Sequence, residues 1–172
     1  NLGSLTSISK WFARSCENLT EVLLPSVCTE IGEQSFFSCK SLSKINIEHV
    51  TNIGNTVFMG CSSLGGELSL PNLKTLGINV FQNTSITTVT HLGDIESIGE
   101  HVFNGCSLLS FVEFPNNLKS IGRSAFYNCR ALNMELSLPE LSVLGPYSFQ
   151  NSGITKITSP KLETIGESVF YG

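Results

Sequence analysis

Seven phenylalanines recur along the chain at nearly constant intervals: Phe36, Phe58, Phe81, Phe103, Phe126, Phe149 and Phe170, at steps of 22, 23, 22, 23, 23 and 21 residues. A period of this length constrains the fold more than any local motif. Each repeat is then one structural unit that cannot bury its own apolar face, so neighbouring units must stack into a solenoid.

Other residue types follow the same period. Ile-Gly or Leu-Gly opens each unit, at Ile31-Gly32, Ile53-Gly54, Leu76-Gly77, Ile98-Gly99, Ile121-Gly122, Leu144-Gly145 and Ile165-Gly166, and the phenylalanine stands five positions after the Ile or Leu. A small residue follows three further on (Cys39, Cys61, Thr84, Cys106, Cys129, Ser152), then an apolar anchor (Leu42, Leu64, Ile86, Leu109, Leu132, Ile154). An alternating apolar pair comes next, as in Ile45-x-Ile47 and Leu136-x-Leu138, and Pro25, Pro71, Pro115, Pro139 and Pro160 close their units. A degraded first unit spans Leu5 to Thr29, with Ala13 in the phenylalanine slot beside Trp11 and Phe12. A larger repeat lies above the small one: Glu67-Leu68-Ser69-Leu70-Pro71 returns as Glu135-Leu136-Ser137-Leu138-Pro139, 68 residues later, which points to duplication of a three-unit block.

These slots predict an α/β repeat solenoid. The alternating pairs predict one short strand per 22–23-residue repeat, near residues 20–24, 43–47, 66–70, 87–91, 111–114, 134–138 and 155–158, stacked in parallel about 4.8 Å apart. The spacings of five and three in Ile-Gly-x-x-x-Phe-x-x-Cys predict helical or 3₁₀ turns on the other face. Leu-x-x-Ile-Gly adds a second short strand elsewhere, and the glycines answer a turn or a close backbone approach. The reading is a single solenoid domain over residues 1–172, of about seven repeats, expected to be a segment of a longer array.

Composition excludes several functions. Only 14% of residues are charged, the net charge is −4, and no basic stripe is present, so a nucleic-acid partner is not expected. No apolar run approaches the roughly 20 residues that cross a bilayer, so this segment is not expected to insert in a membrane. There is no C-x-x-C, no His at ligand spacing from a Cys, no Ser-His-Asp order and no phosphate-cradling loop. The chain is therefore read as non-catalytic, with no cofactor and no metal. The six cysteines read as free thiols. Cys16, Cys39, Cys61, Cys106 and Cys129 share one slot as small buried hydrophobes, and Cys28 lies off that slot, where it is free to be exposed. His49, His91 and His101 read as solvated or turn residues, Gly65-Gly66 as a bulge at an insertion, and Asn18 and Asn83 as N-x-[ST] sequons.

The combined pattern Ile-Gly-x-x-x-Phe-x-x-Cys-x-x-Leu-x-x-Ile-x-Leu-Pro, clearest over 31–47, 98–115 and 121–139, resembles the BspA-like subclass of leucine-rich repeats. The resemblance covers nearly the whole chain. It implies a curved leucine-rich-repeat solenoid, display at a cell surface or outside the cell, and an adhesion-type role with a protein or glycan ligand. It carries over no catalytic residue. The competing expectation is a structural spacer or filament element, favoured by the neat duplication. Recognition is expected on the concave strand face, with candidate contact residues Phe111, Glu113, Met134, Glu135, Thr88 and Glu67. Phe111 and Met134 are expected to stand side by side on adjacent rows, because a parallel ladder aligns successive repeats.

Overall fold

The computed structural model describes residues 2–172. Its regular elements are strands of two to six residues that alternate between two faces. The odd ladder consists of Ser7–Ile8 (β1), Glu30–Ile31 (β3), Asn52–Ile53 (β5), Thr75–Leu76 (β7), Ser97–Ile98 (β9), Ser120–Ile121 (β11), Val143–Leu144 (β13) and Thr164–Ile165 (β15). The even ladder consists of Glu21–Val22 (β2), Lys44–Ile45 (β4), Gly65–Ser69 (β6), Ser85–Thr90 (β8), Phe111–Val112 (β10), Glu135–Ser137 (β12) and Lys156–Thr158 (β14). Every strand pairing is parallel, and each links one turn to the next, so the chain is a right-through stack of about seven turns. All seven expected strands are present, most of them shorter than the alternation suggests, and the even ladder is the one expected to line the concave side.

The third face is where expectation fails. Among the described residues there is no helix, α or 3₁₀. Each Phe-bearing stretch is instead a chain of overlapping turns: the N–H of Ser35 donates to the Gly32 carbonyl, Phe37 to Gln34, and Cys39 to Phe36. The intervening N–H groups point out of the turn. Gln34, Phe36 and Ser38 donate to the carbonyls of Asn55, Val57 and Met59 in the next unit, at 3.0, 3.2 and 2.8 Å. A 3₁₀ segment satisfies its N–H groups internally; here alternate N–H groups serve the neighbour. Flipping alternate peptides in this way requires positive φ two residues on either side of the phenylalanine. Gln34 and Ser38 have φ of 54° and 55°, and Asn79 and Asn83 58° and 57°. Only small, amide or otherwise tolerant residues occupy such positions without large cost.

The core lies between the three faces. Phe36, Phe58, Phe81, Phe103, Phe126 and Phe149 are fully buried and stack ring on ring, with centroids 5.1–5.7 Å apart. Phe170 continues the stack at 6.0 Å but remains half exposed, and at the other end Phe12 sits edge-on to Phe36 beside the buried Ala13. The Ile-Gly glycines answer close approach rather than a special φ. A Cβ on Gly122 would lie 2.8 Å from the Gly99 carbonyl carbon in the preceding turn, a contact no real side chain makes.

Candidate functional site

Outward residues of the even ladder fall into two rows. Strand register places Glu21 beside Lys44, Glu67 and Phe111 on either side of Thr88, and Glu135 beside Lys156. The second row brings together Ser69 and Thr90, and Ser137 and Thr158. The inward partners are buried: Val22, Leu68, Val89, Val112 and Leu136. Two outward, mostly polar rows therefore flank one inward apolar row, as period-two alternation demands.

The candidate contact residues separate into two groups. Phe111, 45% exposed, stands next to Thr88, with Thr88 flanked on its far side by Glu67. The Thr90 hydroxyl donates to Glu67 Oε1 at 2.8 Å, and His91 Nε2 lies 4.0 Å from Glu113 Oε2. These residues share one surface. Glu135 is also exposed, ion-paired with Lys156 at 3.1 Å. Met134 is not where the sequence placed it. It is half buried and packs against the core, and no strand pairing joins β10 to β12 among the described residues. The side-by-side Phe111–Met134 pair is thus a correction.

Its cause is one inserted residue. The anchor and the next inward residue are three apart in most turns (Leu42 to Ile45, Ile86 to Val89, Leu109 to Val112) but four apart in two turns (Leu64 to Leu68, Leu132 to Leu136). Both ends of the longer path are fixed in the core, so the extra residue bows the backbone away from the preceding strand. The even ladder accordingly divides into β2–β4, β6–β8–β10 and β12–β14. The Gly65-Gly66 pair lies in the first of these insertions, and the register of β6 against β8 shifts between Gly66 and Glu67, as a bulge there requires.

At the first interruption, between β4 and β6, an open cleft of about 300 Å³ lies on the strand face. Ile45, Leu64 and Leu68 form its floor; Glu21, Lys44, Glu48 and Glu67 stand around it. Sequence reasoning passed over it, although the two consecutive glycines at an inserted position carried the signal.

The thiols are structural. In the shared slot, Cys39, Cys61, Cys106 and Cys129 are buried, and each Sγ donates to a carbonyl of the preceding turn (Ala13, Phe36, Phe81 and Phe103) at 3.0–3.1 Å. Burial pushes the Cys61 thiol up to about 12 and Cys106 to about 11, so both stay neutral. One expectation reverses, and one open point is decided. Cys16 is exposed: among the described residues no earlier turn covers its slot. Cys28 is fully buried. It occupies a corner slot shared with Val50, Leu73, Ile95, Leu118, Leu141 and Leu162, which follow one another at the same intervals as the phenylalanines. That signal was legible and was missed.

His91 and His101 occupy left-handed turn positions, and His49 is half buried with Nε2 enclosed and unpartnered. Among the described residues, no group of three or more His, Cys, Asp or Glu side chains is placed to hold a metal ion, and no helix is long and apolar enough to cross a membrane. Asn18 and Asn83 are both exposed.

The family model for the BspA type leucine rich repeat region matches six copies, over residues 2–109 and 74–172. A leucine-rich repeat protein from Bacteroides ovatus is 30% identical over 96% of this chain and 50% of its own, with a TM-score of 0.70. A leucine rich cell surface protein from Faecalibacterium prausnitzii shares 22% identity over 92% of this chain and 44% of its own, with a TM-score of 0.69. The leucine-rich repeat protein of T. pallidum shares 23% identity over 86% of this chain and 70% of its own, with a TM-score of 0.71. The two less similar structures speak to the fold alone. The chain spans about half the length of the first two. No curated protein matches it.

Proposed function

This chain belongs to the BspA-type leucine-rich repeat family, and we propose that it is a non-catalytic binding module, displayed at a cell surface, that holds a protein ligand on the outward face of its even ladder. The observation that carries the reading is Phe111. The spine phenylalanines from Phe36 to Phe149 are buried to the last few per cent, whereas Phe111 presents its ring to solvent beside Thr88 and in line with Glu67. An exposed aromatic ringed by hydroxyls and carboxylates is the usual form of an interface anchor. Glu113 adds a further carboxylate on the same turn as Phe111, so the partner is expected to be basic or hydroxyl-rich. Surface display is supported by the family and by the cell surface protein of similar fold from F. prausnitzii.

The experiment is a binding screen of the soluble chain against matrix proteins and glycans, followed by Phe111→Ala on any ligand found. A loss of about tenfold or more in affinity with an unchanged melting curve supports the site. Full affinity moves recognition off this face. A glycan as the tight ligand replaces the protein partner.

The spacer reading has one observation in its favour. Ion pairs such as Lys10–Glu33, Lys40–Glu17, Lys119–Glu96 and Lys161–Glu140 join one turn to the next rather than reaching outward. Such pairs stiffen an array. A chain that binds nothing in the screen supports it.

A further inference from the structure

The two insertions on the even ladder are copies of one event, yet their outcomes differ. Residues 61–71 correspond one to one with 129–139 at an offset of 68, so Gly65 and Gly66 stand where Asn133 and Met134 stand in the second copy. In the second copy Met134 packs against the core, and Phe114 of the preceding turn lies edge-on to Phe126 at 5.5 Å. In the first copy there is no side chain to do this. Gly65 lines the cleft of about 300 Å³, and the next residue, Gly66, has a φ of 81° and a Cβ built on it meets nothing within 4 Å. The duplication thus supplies an internal comparison: one interruption is packed with side chain, the other holds open space with an apolar floor.

The rim of that space is net acidic. Glu17, Glu33, Glu96, Glu135 and Glu140 are each paired with a lysine, whereas among the described residues other carboxylates, such as Glu30, Asp94, Glu100, Glu163 and Glu167, make no ion pair and stand away from the cleft. Among the described residues, Glu21, Glu48 and Glu67 make no ion pair. All three stand at the cleft, against the single cation Lys44. The cleft volume is about ten times the roughly 30 Å³ share of one water molecule, which suits one long side chain and not a folded element. Long cationic side chains lay an aliphatic stem on apolar surface and keep the charged head among polar groups. Ile45, Leu64 and Leu68 offer the stem its bed, and the unpaired carboxylates offer the head its partners.

We infer that the cleft between β4 and β6 is the seat of a lysine or arginine side chain of a bound protein, arginine fitting better because its planar fork engages carboxylates bidentately. This deepens the binding-module reading and rests on it, since it names the chemistry of one anchor on the same face.

The test uses the 172-residue chain and a small probe, N-acetyl-L-arginine amide, followed by amide chemical shifts. The expected result is saturable shifts at Lys44–Ile47 and Gly65–Ser69, with a Kd of about 1–10 mM, as a single anchored side chain supports. N-acetyl-L-citrulline amide, equal in shape but uncharged, should bind at least about tenfold more weakly, and Glu48→Gln with Glu67→Gln should weaken the arginine probe by a similar factor. A control variant carrying Glu30→Gln and Glu163→Gln removes the same charge away from the cleft and should bind as the parent does. Unsaturable shifts spread over all carboxylates, an equal response to citrulline, or unchanged binding by the Glu48/Glu67 variant would overturn the inference. Phe111→Ala leaves this titration untouched, so failure at the cleft and failure of the Phe111 surface are read separately.

Discussion

At every junction from Trp11–Ser15 to Tyr147–Asn151, the phenylalanine face joins successive units by three main-chain hydrogen bonds. On the even ladder the main-chain pairing stops twice, and on the odd ladder it stops once, between β7 and β9. Continuity of the stack is therefore a property of the left-handed turns and their buried rings. The strand faces are free to lose pairing at single turns without breaking the array. This freedom lets the even strand face, the proposed recognition surface, depart from regularity while the phenylalanine face stays uniform.

The comparison is broken most directly by removing a spine ring. Phe103→Ala is expected to destabilise the chain by about 3–5 kcal/mol, read as a shift in the chemical-denaturation midpoint, because it empties a fully buried slot in the middle of the stack. An unchanged midpoint would show that the strand faces alone hold the array together. The next effect contrasts a paired and an unpaired junction within one slot. At Gly122 a methyl group would meet the Gly99 backbone at 2.8 Å, but at Gly99 the nearest atom is Ile78 Cγ2 at 3.3 Å, where β7 and β9 do not pair. Gly122→Ala should cost about 1–3 kcal/mol as an overpacking change. Gly99→Ala should stay within about 0.5 kcal/mol, its small crowding offset by the reduced freedom of the unfolded chain. Equal losses at both positions would mean that the odd ladder is as tight at its interruption as elsewhere.

A third variant tests the turns. Thr56 has φ of 55° and a buried hydroxyl with no partner, in the slot that Asn79 fills one turn later. Thr56→Asn should stabilise by about 1 kcal/mol in thermal or chemical unfolding, since a β-branched residue is poorly suited to the left-handed region and asparagine tolerates it. Loss of stability would place the origin of the turn geometry elsewhere. The smallest effect belongs to the strand face. Phe111→Ala should change stability by no more than about 0.5 kcal/mol, as exposed positions outside the core do. A larger loss would make Phe111 a packing residue and remove the main support for its role as an anchor.

Much of this was legible in the residues because burial repeats when the backbone repeats. Phe, Cys and Leu slots recur at fixed steps, and the strand rows follow from them. The turn conformation was hidden for a physical reason. A left-handed backbone is signalled strongly only by glycine, and here Gly60 and Gly105 are outnumbered by Ser, Asn, Gln and His in the same slots. The spacing of five and three fits a helical turn as well as a pair of type II-like turns, and only the direction of alternate N–H groups distinguishes them. Met134 was misplaced because an alignment by strand pattern hides an insertion between two buried leucines. Glu67, Thr88 and Phe111 were found together because their turns pair in register.

The three-turn spacing of the two interruptions has a consequence for avidity. One interruption lies between β4 and β6 and the other between β10 and β12, with three strand intervals of about 4.8 Å from one to the next. An array lengthened by further copies of the same cassette would present such openings at a constant pitch of about 15 Å, close to the reach of four or five residues of extended chain at about 3.3 Å each. A partner with basic side chains at that pitch would engage several millimolar contacts at once, each raising the effective concentration of the next. Selectivity would then reside in the pitch of the partner's charges rather than in any one contact.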